Sequence, residues 1–219
     1  MKVILFGATG MVGQGVLREC LRDPAVERVL AVGRSGTGKN DPKLQELLVQ
    51  DLYDYSGVES QLAGYDACFF CLGVSSASMK EADYRRITYD LTLAAAKVLA
   101  RLNPGMTFIY VSGQGTDSSE HGRVMWARVK GATENALRQL PFKAAYMFRP
   151  GIIRPLHGVR SKTPLYQTFY TLLGPFLSLL ARISPDSVTT SEQVGRAMLK
   201  VARTGAPVLF LENHDINRL

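Results

Sequence analysis

The sequence is poor in the residue types that build disulfide frameworks and metal centres. Its 219 residues include three cysteines and three histidines. An odd number of cysteines argues against a disulfide framework, and His121, His157 and His214 lie too far apart for metal-ligand spacing. Cys68 and Cys71 have the spacing of a redox pair, but residues three apart in a strand point to opposite faces. We therefore expect buried strand cysteines and no metal site.

Basic runs and secretory segments are also missing. The 26 Lys and Arg residues exceed the 19 Asp and Glu residues, for a formal charge of +7, but the basic residues are scattered. This distribution argues against nucleic-acid binding and is compatible with an anionic small ligand or an anionic membrane. The opening stretch MKVILFG is too short an apolar run for a signal peptide. Together with the cysteine count, it indicates a cytoplasmic protein.

The first 150 residues alternate short apolar runs with longer helical patterns. Nearly continuous apolar runs are typical of strands that are buried on both faces of a parallel sheet. They lie at 3–7, 28–33, 47–52, 67–73, 107–113 and 144–151. Helical patterns lie near 11–22, 57–63, 80–102 and 122–140, and a helix at 190–203 and a short strand at 207–211 close the chain. Strand–helix alternation predicts an α/β fold with a doubly wound parallel sheet of the Rossmann type.

A glycine-rich loop follows the first apolar run. In VILFGATGMVGQG, three glycines come directly after a strand and at the beginning of a helix. Glycines permit the tight turn there and let the backbone approach a pyrophosphate, whose charge lies at the helix N-terminus. The simpler alternative is a glycine-rich turn without a ligand. The pattern favours dinucleotide binding by Gly7, Thr9, Gly10, Met11, Val12 and Gly13.

Arg34 indicates which dinucleotide is bound. It follows the second strand, in AVGRSG, where an acidic residue would hold the ribose hydroxyls of NAD and an arginine accommodates the 2′-phosphate of NADP. Arg34, with Ser35 as an additional donor, therefore favours NADP over NAD. After the third and fourth strands, we expect further cofactor contacts from Asp51, Leu52, Leu72 and Gly73.

The segment after residue 151 differs from the rest of the chain. Residues 163–181 carry no formal charge and are long enough to be a transmembrane candidate, but polar residues and a Gly-Pro pair interrupt them. We favour a mostly helical segment at 155–190 that covers a substrate, within a single dinucleotide-binding domain of residues 1–219. Peripheral membrane contact through 163–182 is the alternative. The oligomeric state is open, with a homodimer as one option.

Four motifs, taken in order, resemble a known family. GATGMVG, YVSG, VKGATE and FRPGIIRP are similar to motifs of the atypical branch of the short-chain dehydrogenase/reductase superfamily, as in the HIV Tat-interactive protein 2-like and NAD-dependent epimerase/dehydratase-like proteins. The resemblance covers most of residues 1–155. It implies that Ser112 polarises a substrate carbonyl or alcohol and that Lys130 binds the nicotinamide ribose. It also implies that the nicotinamide end is lined by Pro150, Gly151 and Ile153.

The chain departs from this family at the catalytic tyrosine. The family's Tyr-x-x-x-Lys reads WARVK here, so that Trp126 stands in the tyrosine position, four residues before Lys130. A phenol can donate and recover a proton, whereas an indole N–H only donates a hydrogen bond. The candidates for a replacement proton donor elsewhere in the sequence are Tyr84, Tyr89, Tyr110 and His121.

Three functions therefore remain open. The first is an NADP-dependent oxidoreductase that acts on a small carbonyl or alcohol, with the proton supplied by water or by another side chain. The second is a non-catalytic NADP(H)-binding sensor or adaptor, because the usual proton donor is missing. The third is an epimerase or dehydratase of the nucleotide-sugar kind.

Overall fold

The computed structural model describes residues 1–158 and 187–219. The strands in these ranges are β1 (Lys2–Phe6), β2 (Arg28–Gly33), β3 (Leu44–Leu48), β4 (Ala67–Phe70), β5 (Thr107–Val111), β6 (Ala144–Arg149), β7 (Ile152–Arg154), β8 (Val188–Thr190) and β9 (Phe210–Glu212). The helices are α1 (Met11–Arg22), α2 (Glu59–Leu62), α3 (Glu81–Arg85), α4 (Leu91–Leu102), α5 (Met125–Arg138), α6 (Ser191–Thr204) and α7 (Asn213–Arg218).

Seven strands form one parallel sheet in the order β3-β2-β1-β4-β5-β6-β9. The chain runs outward from β1 to β3 and then returns to place β4 beside β1. The strand order therefore reverses between β1 and β4, which is where ligands bind in open α/β sheets, at the carboxyl ends of the strands. The predicted doubly wound Rossmann-type fold is confirmed.

The inner strands are buried on both faces, as predicted. Neighbouring residues on β4 illustrate this, because Phe69 and Phe70 are both fully buried but belong to core clusters on opposite sides of the sheet. Phe70 stacks on Phe6 of β1 with ring centres 5.0 Å apart. Cys68 and Cys71 also pack on opposite sides, although Cys71 lies just beyond the end of β4 and is only partly buried.

The third strand lies elsewhere than predicted. We expected it at 47–52, but β3 spans Leu44–Leu48, at the edge of the sheet. Only Leu47 of this strand is buried, and the polar Gln45 and Glu46 form its middle. A continuous apolar run identifies strands that are covered on both faces, and an edge strand does not need one.

The long helix predicted at 80–102 is present but is not uniform. α3 and α4 are joined without a break by a π-helical turn at Arg86–Asp90, which the sequence did not indicate. The β7–β8 pair and α7 were not predicted either. Most of the predicted covering segment at 155–190, and all of 163–182, lies outside the described residues. Among the helices that are described, none is both long and apolar enough to cross a membrane.

Candidate functional site

The glycine loop between β1 and α1 is packed too tightly for side chains at two positions. Gly7 has a φ of +78°, and a Cβ added to it would lie 2.6 Å from the backbone nitrogen of Leu72. A Cβ on Gly13 would lie 2.0 Å from the carbonyl oxygen of Gly7. Only glycine fits at both positions without a shift of the backbone. The loop is therefore held close to α1 and to the segment that follows β4.

The N-terminus of α1 is open toward this loop. Its N-cap residue is Gly10, no side chain caps the helix, and no acidic residue stands in the first turn. The first N–H groups of a helix lack intrahelical partners and carry a partial positive charge. This end of α1 is therefore suited to bind an anion such as a pyrophosphate.

A cleft of about 510 Å³ opens at the carboxyl ends of β1, β2 and β4. Most of the predicted cofactor-binding residues line it, namely Gly7, Thr9, Gly10, Met11, Arg34, Ser35, Asp51, Leu52, Leu72 and Gly73. Val12 and Gly13 belong to α1 behind the loop and do not line the cleft. The structure thus brings one predicted set of residues together at the point where the strand order reverses.

Arg34 and Glu46 both line this cleft. Arg34 is exposed and forms no ion pair within the described part of the chain. Glu46 was not predicted as a site residue, because the third strand was predicted at 47–52 and Glu46 lies before that range. Its Oε1 accepts hydrogen bonds from the backbone N–H and the hydroxyl of Thr37, at 2.6 Å and 2.5 Å. These bonds, with the hydroxyl contributing most, lower the pKa of the Glu46 carboxyl.

Ser112 follows β5, but its hydroxyl is engaged inside the protein. Ser112 is 8% exposed, and its Oγ lies 2.5 Å from Oε1 of Glu134 and 3.2 Å from the carbonyl oxygen of Phe148. The hydroxyl therefore serves an internal network in this conformation. A contact with a substrate carbonyl stays a prediction and would require the hydroxyl to turn.

Glu134 and Arg149 form the centre of that network, and the sequence did not reveal either of them. Glu134 is fully buried, and both of its carboxylate oxygens accept hydrogen bonds from Arg149. Arg149 also contacts Glu212 and Ser118, at 3.2 Å and 2.6 Å. The available signal was spacing, because Glu134 lies one helical turn after Lys130 and thus on the same face of α5.

Lys130 lies beside Ser112. Its Nζ donates a hydrogen bond to the carbonyl oxygen of Ser112 at 2.6 Å. Burial lowers the pKa of Lys130 to about 8, although the nearby Glu134 opposes the shift. Nζ also lies 5.8 Å from the centre of the Tyr110 ring. Lys130 therefore has a fixed position and a charge that changes near neutral pH.

Trp126 is partly buried on α5 and lies next to the loop that follows β5. Its Cη2 atom is 3.7 Å from the position that a Cβ on Gly115 would occupy. Gln114, the neighbouring residue, donates its backbone N–H to the carbonyl oxygen of Pro150 at 2.9 Å. The indole therefore lies next to the loop that follows β5, and this loop is hydrogen-bonded to the residue that follows β6.

The four candidate proton donors have different surroundings. Tyr84 and Tyr110 are 2% and 1% exposed, and burial raises the pKa of Tyr110 well above its usual value. Tyr89 is half-buried against the core, with the Arg85 guanidinium 4.1 Å from its ring centre. His121 is exposed in the loop before α5. The two buried tyrosines are therefore poorly placed to exchange protons.

The residues predicted at the nicotinamide end do not line the 510 Å³ cleft. Pro150 and Gly151 form the corner between β6 and β7, where the Gly151 N–H donates to Oδ1 of Asn213 at 2.8 Å. Ile153 is 7% exposed within β7. Their role at a cofactor stays a prediction.

The chain is similar in sequence to two kinds of curated protein, the fmp52 proteins and HTATIP2. No family model matches the chain. The chain is 29% identical to protein fmp52-2, mitochondrial, of Aspergillus oryzae, over 98% of this chain and 95% of the relative. It is 26% identical to protein HTATIP2 of Rattus norvegicus, over 69% of this chain and 62% of the relative. The resemblance to the atypical short-chain dehydrogenase/reductases is confirmed.

Solved structures share this fold. WbmF of Bordetella bronchiseptica, solved in complex with NAD+, matches 99% of this chain and 76% of its own with a TM-score of 0.69 and 14% identity. A short-chain dehydrogenase/reductase family oxidoreductase of Burkholderia thailandensis matches 98% of this chain and 92% of its own with a TM-score of 0.67 and 15% identity. At such identities these likenesses show the fold.

The cytoplasmic location predicted from the sequence is contradicted. The fmp52-2 proteins of Aspergillus oryzae and Aspergillus terreus, which match 98% of this chain, are both named mitochondrial. The prediction failed because a low cysteine count and a short apolar opening do not identify a compartment. Neither observation distinguishes one reducing compartment from another.

Proposed function

We propose that this chain is an NADP-binding oxidoreductase of the atypical short-chain dehydrogenase/reductase type, which acts on a small carbonyl or alcohol substrate. The observation that supports it most is the cleft at the strand reversal, where the glycine loop, the open N-terminus of α1 and Arg34 lie together. The sequence relationship to HTATIP2 and the fmp52 proteins agrees with the proposal.

The residues present fit a dinucleotide. The positions at Gly7 and Gly13 have no room for a Cβ, and the glycine loop leaves the N–H groups of α1 accessible to a pyrophosphate. Arg34 would bind the 2′-phosphate of NADP with its guanidinium. Asp51 and Leu52 would lie at the adenine. Once bound, the nicotinamide would supply or accept the hydride.

The proton would be handled by groups other than the missing tyrosine. Lys130 is fixed by the carbonyl oxygen of Ser112 and would bind the nicotinamide ribose. With its pKa lowered to about 8, it is also able to share a proton with water near neutral pH. Trp126 would donate a hydrogen bond to a substrate oxygen without transferring a proton.

The second candidate function is a non-catalytic NADP(H)-binding sensor or adaptor, which the loss of the tyrosine at Trp126 favours. An epimerase or dehydratase of nucleotide sugars is the third candidate, and it needs the same replacement for the tyrosine as the oxidoreductase does.

Cofactor consumption tests the proposal. The full chain should oxidise NADPH, followed by absorbance, with at least one member of a panel of small aldehydes, ketones and enones. Binding of NADPH without turnover across the panel would favour the sensor. If neither NADPH nor NADH binds, both functions are wrong.

A further inference from the structure

We propose that Glu46 shifts the cofactor preference of the cleft toward NAD, because its carboxylate accepts a hydrogen bond from the 2′-hydroxyl of the adenosine ribose and repels a 2′-phosphate. The inference rests on the proposed dinucleotide binding and concerns the same cleft. It adds a residue on β3 that favours NAD, opposite in effect to Arg34.

The position of Glu46 supports this role. Its side chain lines the cleft together with Arg34 and Ser35, which follow the neighbouring strand β2. Oε1 is occupied by the two hydrogen bonds from Thr37. Oε2 has no partner among the described residues. A Cβ on Gly36 would lie 2.8 Å from Oε2, so that glycine at this position leaves the oxygen uncovered.

The charge state of Glu46 also supports the inference. The hydrogen bonds from Thr37 lower the pKa of the carboxyl, so that it is ionised at neutral pH. In the described part of the chain, Arg34 does not pair with it. The cleft therefore presents an anion and a cation that have not neutralised each other.

The two nucleotides make opposite demands on this arrangement. A ribose 2′-hydroxyl is a donor and is bound well by a carboxylate oxygen, whereas a 2′-phosphate is an anion that needs a guanidinium. Arg34 therefore favours NADP and Glu46 favours NAD. We expect the natural chain to bind both nucleotides, with the preference for NADP weaker than Arg34 alone would give.

Titration calorimetry of the full chain with NADP+ and with NAD+ tests the inference. In Glu46→Gln, the affinity ratio of NADP+ to NAD+ should rise about fivefold, because one exposed charge is removed and the shape is kept. In Arg34→Ala, the ratio should fall by a similar factor. Gln45→Ala is the matched control, because it changes the exposed neighbour of Glu46 on β3, which does not line the cleft. Its ratio should stay within about twofold of the natural chain's.

Two results would overturn the inference alone. One is an affinity for each nucleotide that is unchanged in Glu46→Gln. The other is an equal loss of affinity for both nucleotides, which would make Glu46 only a support for the loop at Thr37. If the natural chain binds neither nucleotide, the proposed function itself fails, and the inference fails with it. Circular dichroism would confirm that each variant is folded.

Discussion

The Ser112 hydroxyl donates a hydrogen bond to Glu134 at 2.5 Å, and Glu134 is fully buried with Arg149 as its ion-pair partner. The three residues lie after β5, on α5 and at the end of β6. This network therefore joins the elements that position Lys130 against the carbonyl oxygen of Ser112. A carboxylate buried in this way is tolerated only because each of its oxygens has a donor.

Removal of Glu134 should destabilise the protein strongly. Glu134→Ala leaves the Arg149 guanidinium without its main partner, and breaking one side of a buried pair costs about 3–5 kcal/mol. Urea unfolding, followed by circular dichroism, measures the change. Glu134→Gln keeps the shape and is expected to lose less. If the free energy of unfolding of Glu134→Ala lies within about 1 kcal/mol of the natural chain's, the network contributes little to stability.

Lys130 should make stability depend on pH above neutrality. Burial lowers the pKa of Lys130 to about 8 in the folded protein, whereas an unfolded lysine titrates near its ordinary value, about 10.4. Between these values the unfolded chain binds more protons at this residue, so stability rises with pH in this window. We expect the free energy of unfolding of the natural chain to rise relative to Lys130→Met between about pH 7.5 and about pH 9.5. If the urea-unfolding midpoints of the two proteins change with pH in the same way, this result would contradict the lowered pKa of Lys130.

Restoring the phenol should restore the family's usual chemistry. Trp126→Tyr places a proton donor one helical turn before Lys130, whose positive charge favours the phenolate. We expect NADPH turnover to rise at least about tenfold on carbonyl substrates, since general acid–base catalysis contributes about 10²–10⁴-fold. Trp126→Phe is the control and should show no rise. If the Tyr and Phe variants have equal turnover, position 126 does not face the reacting centre.

The glycine loop and the central strands could be predicted from the sequence because backbone contacts and burial restrict which residues these positions accept. Gly7 and Gly13 are required by backbone contacts, and the inner strands are apolar on both faces. β3 could not be placed in the same way, because its middle is polar and its position depends on pairing with β2. Because of this error, Glu46 was not assigned to a strand, and its side chain could not be placed on a face of the sheet.

The contacts around Ser112 and Lys130 were harder to predict than the glycine loop. The resemblance assigned roles to Ser112 and Lys130, and in the structure the Lys130 Nζ lies 2.6 Å from the carbonyl oxygen of Ser112. However, a sequence motif does not report which way a hydroxyl points. The partner of Ser112 is Glu134, on a different element, and such contacts between distant residues are set by the packing of α5 against the sheet.

The central claim is that the cleft lined by the glycine loop binds a dinucleotide, and titration calorimetry with NADP+ tests it most directly. The natural chain should bind one NADP+ per chain. Gly13→Ala should weaken binding at least about tenfold, because its Cβ would lie 2.0 Å from the Gly7 carbonyl oxygen and force the loop to move. Gly105→Ala, at a position where an added Cβ meets nothing within 4 Å, is the matched control and should bind like the natural chain. No binding by the natural chain, or equal binding by the two variants, would contradict the claim.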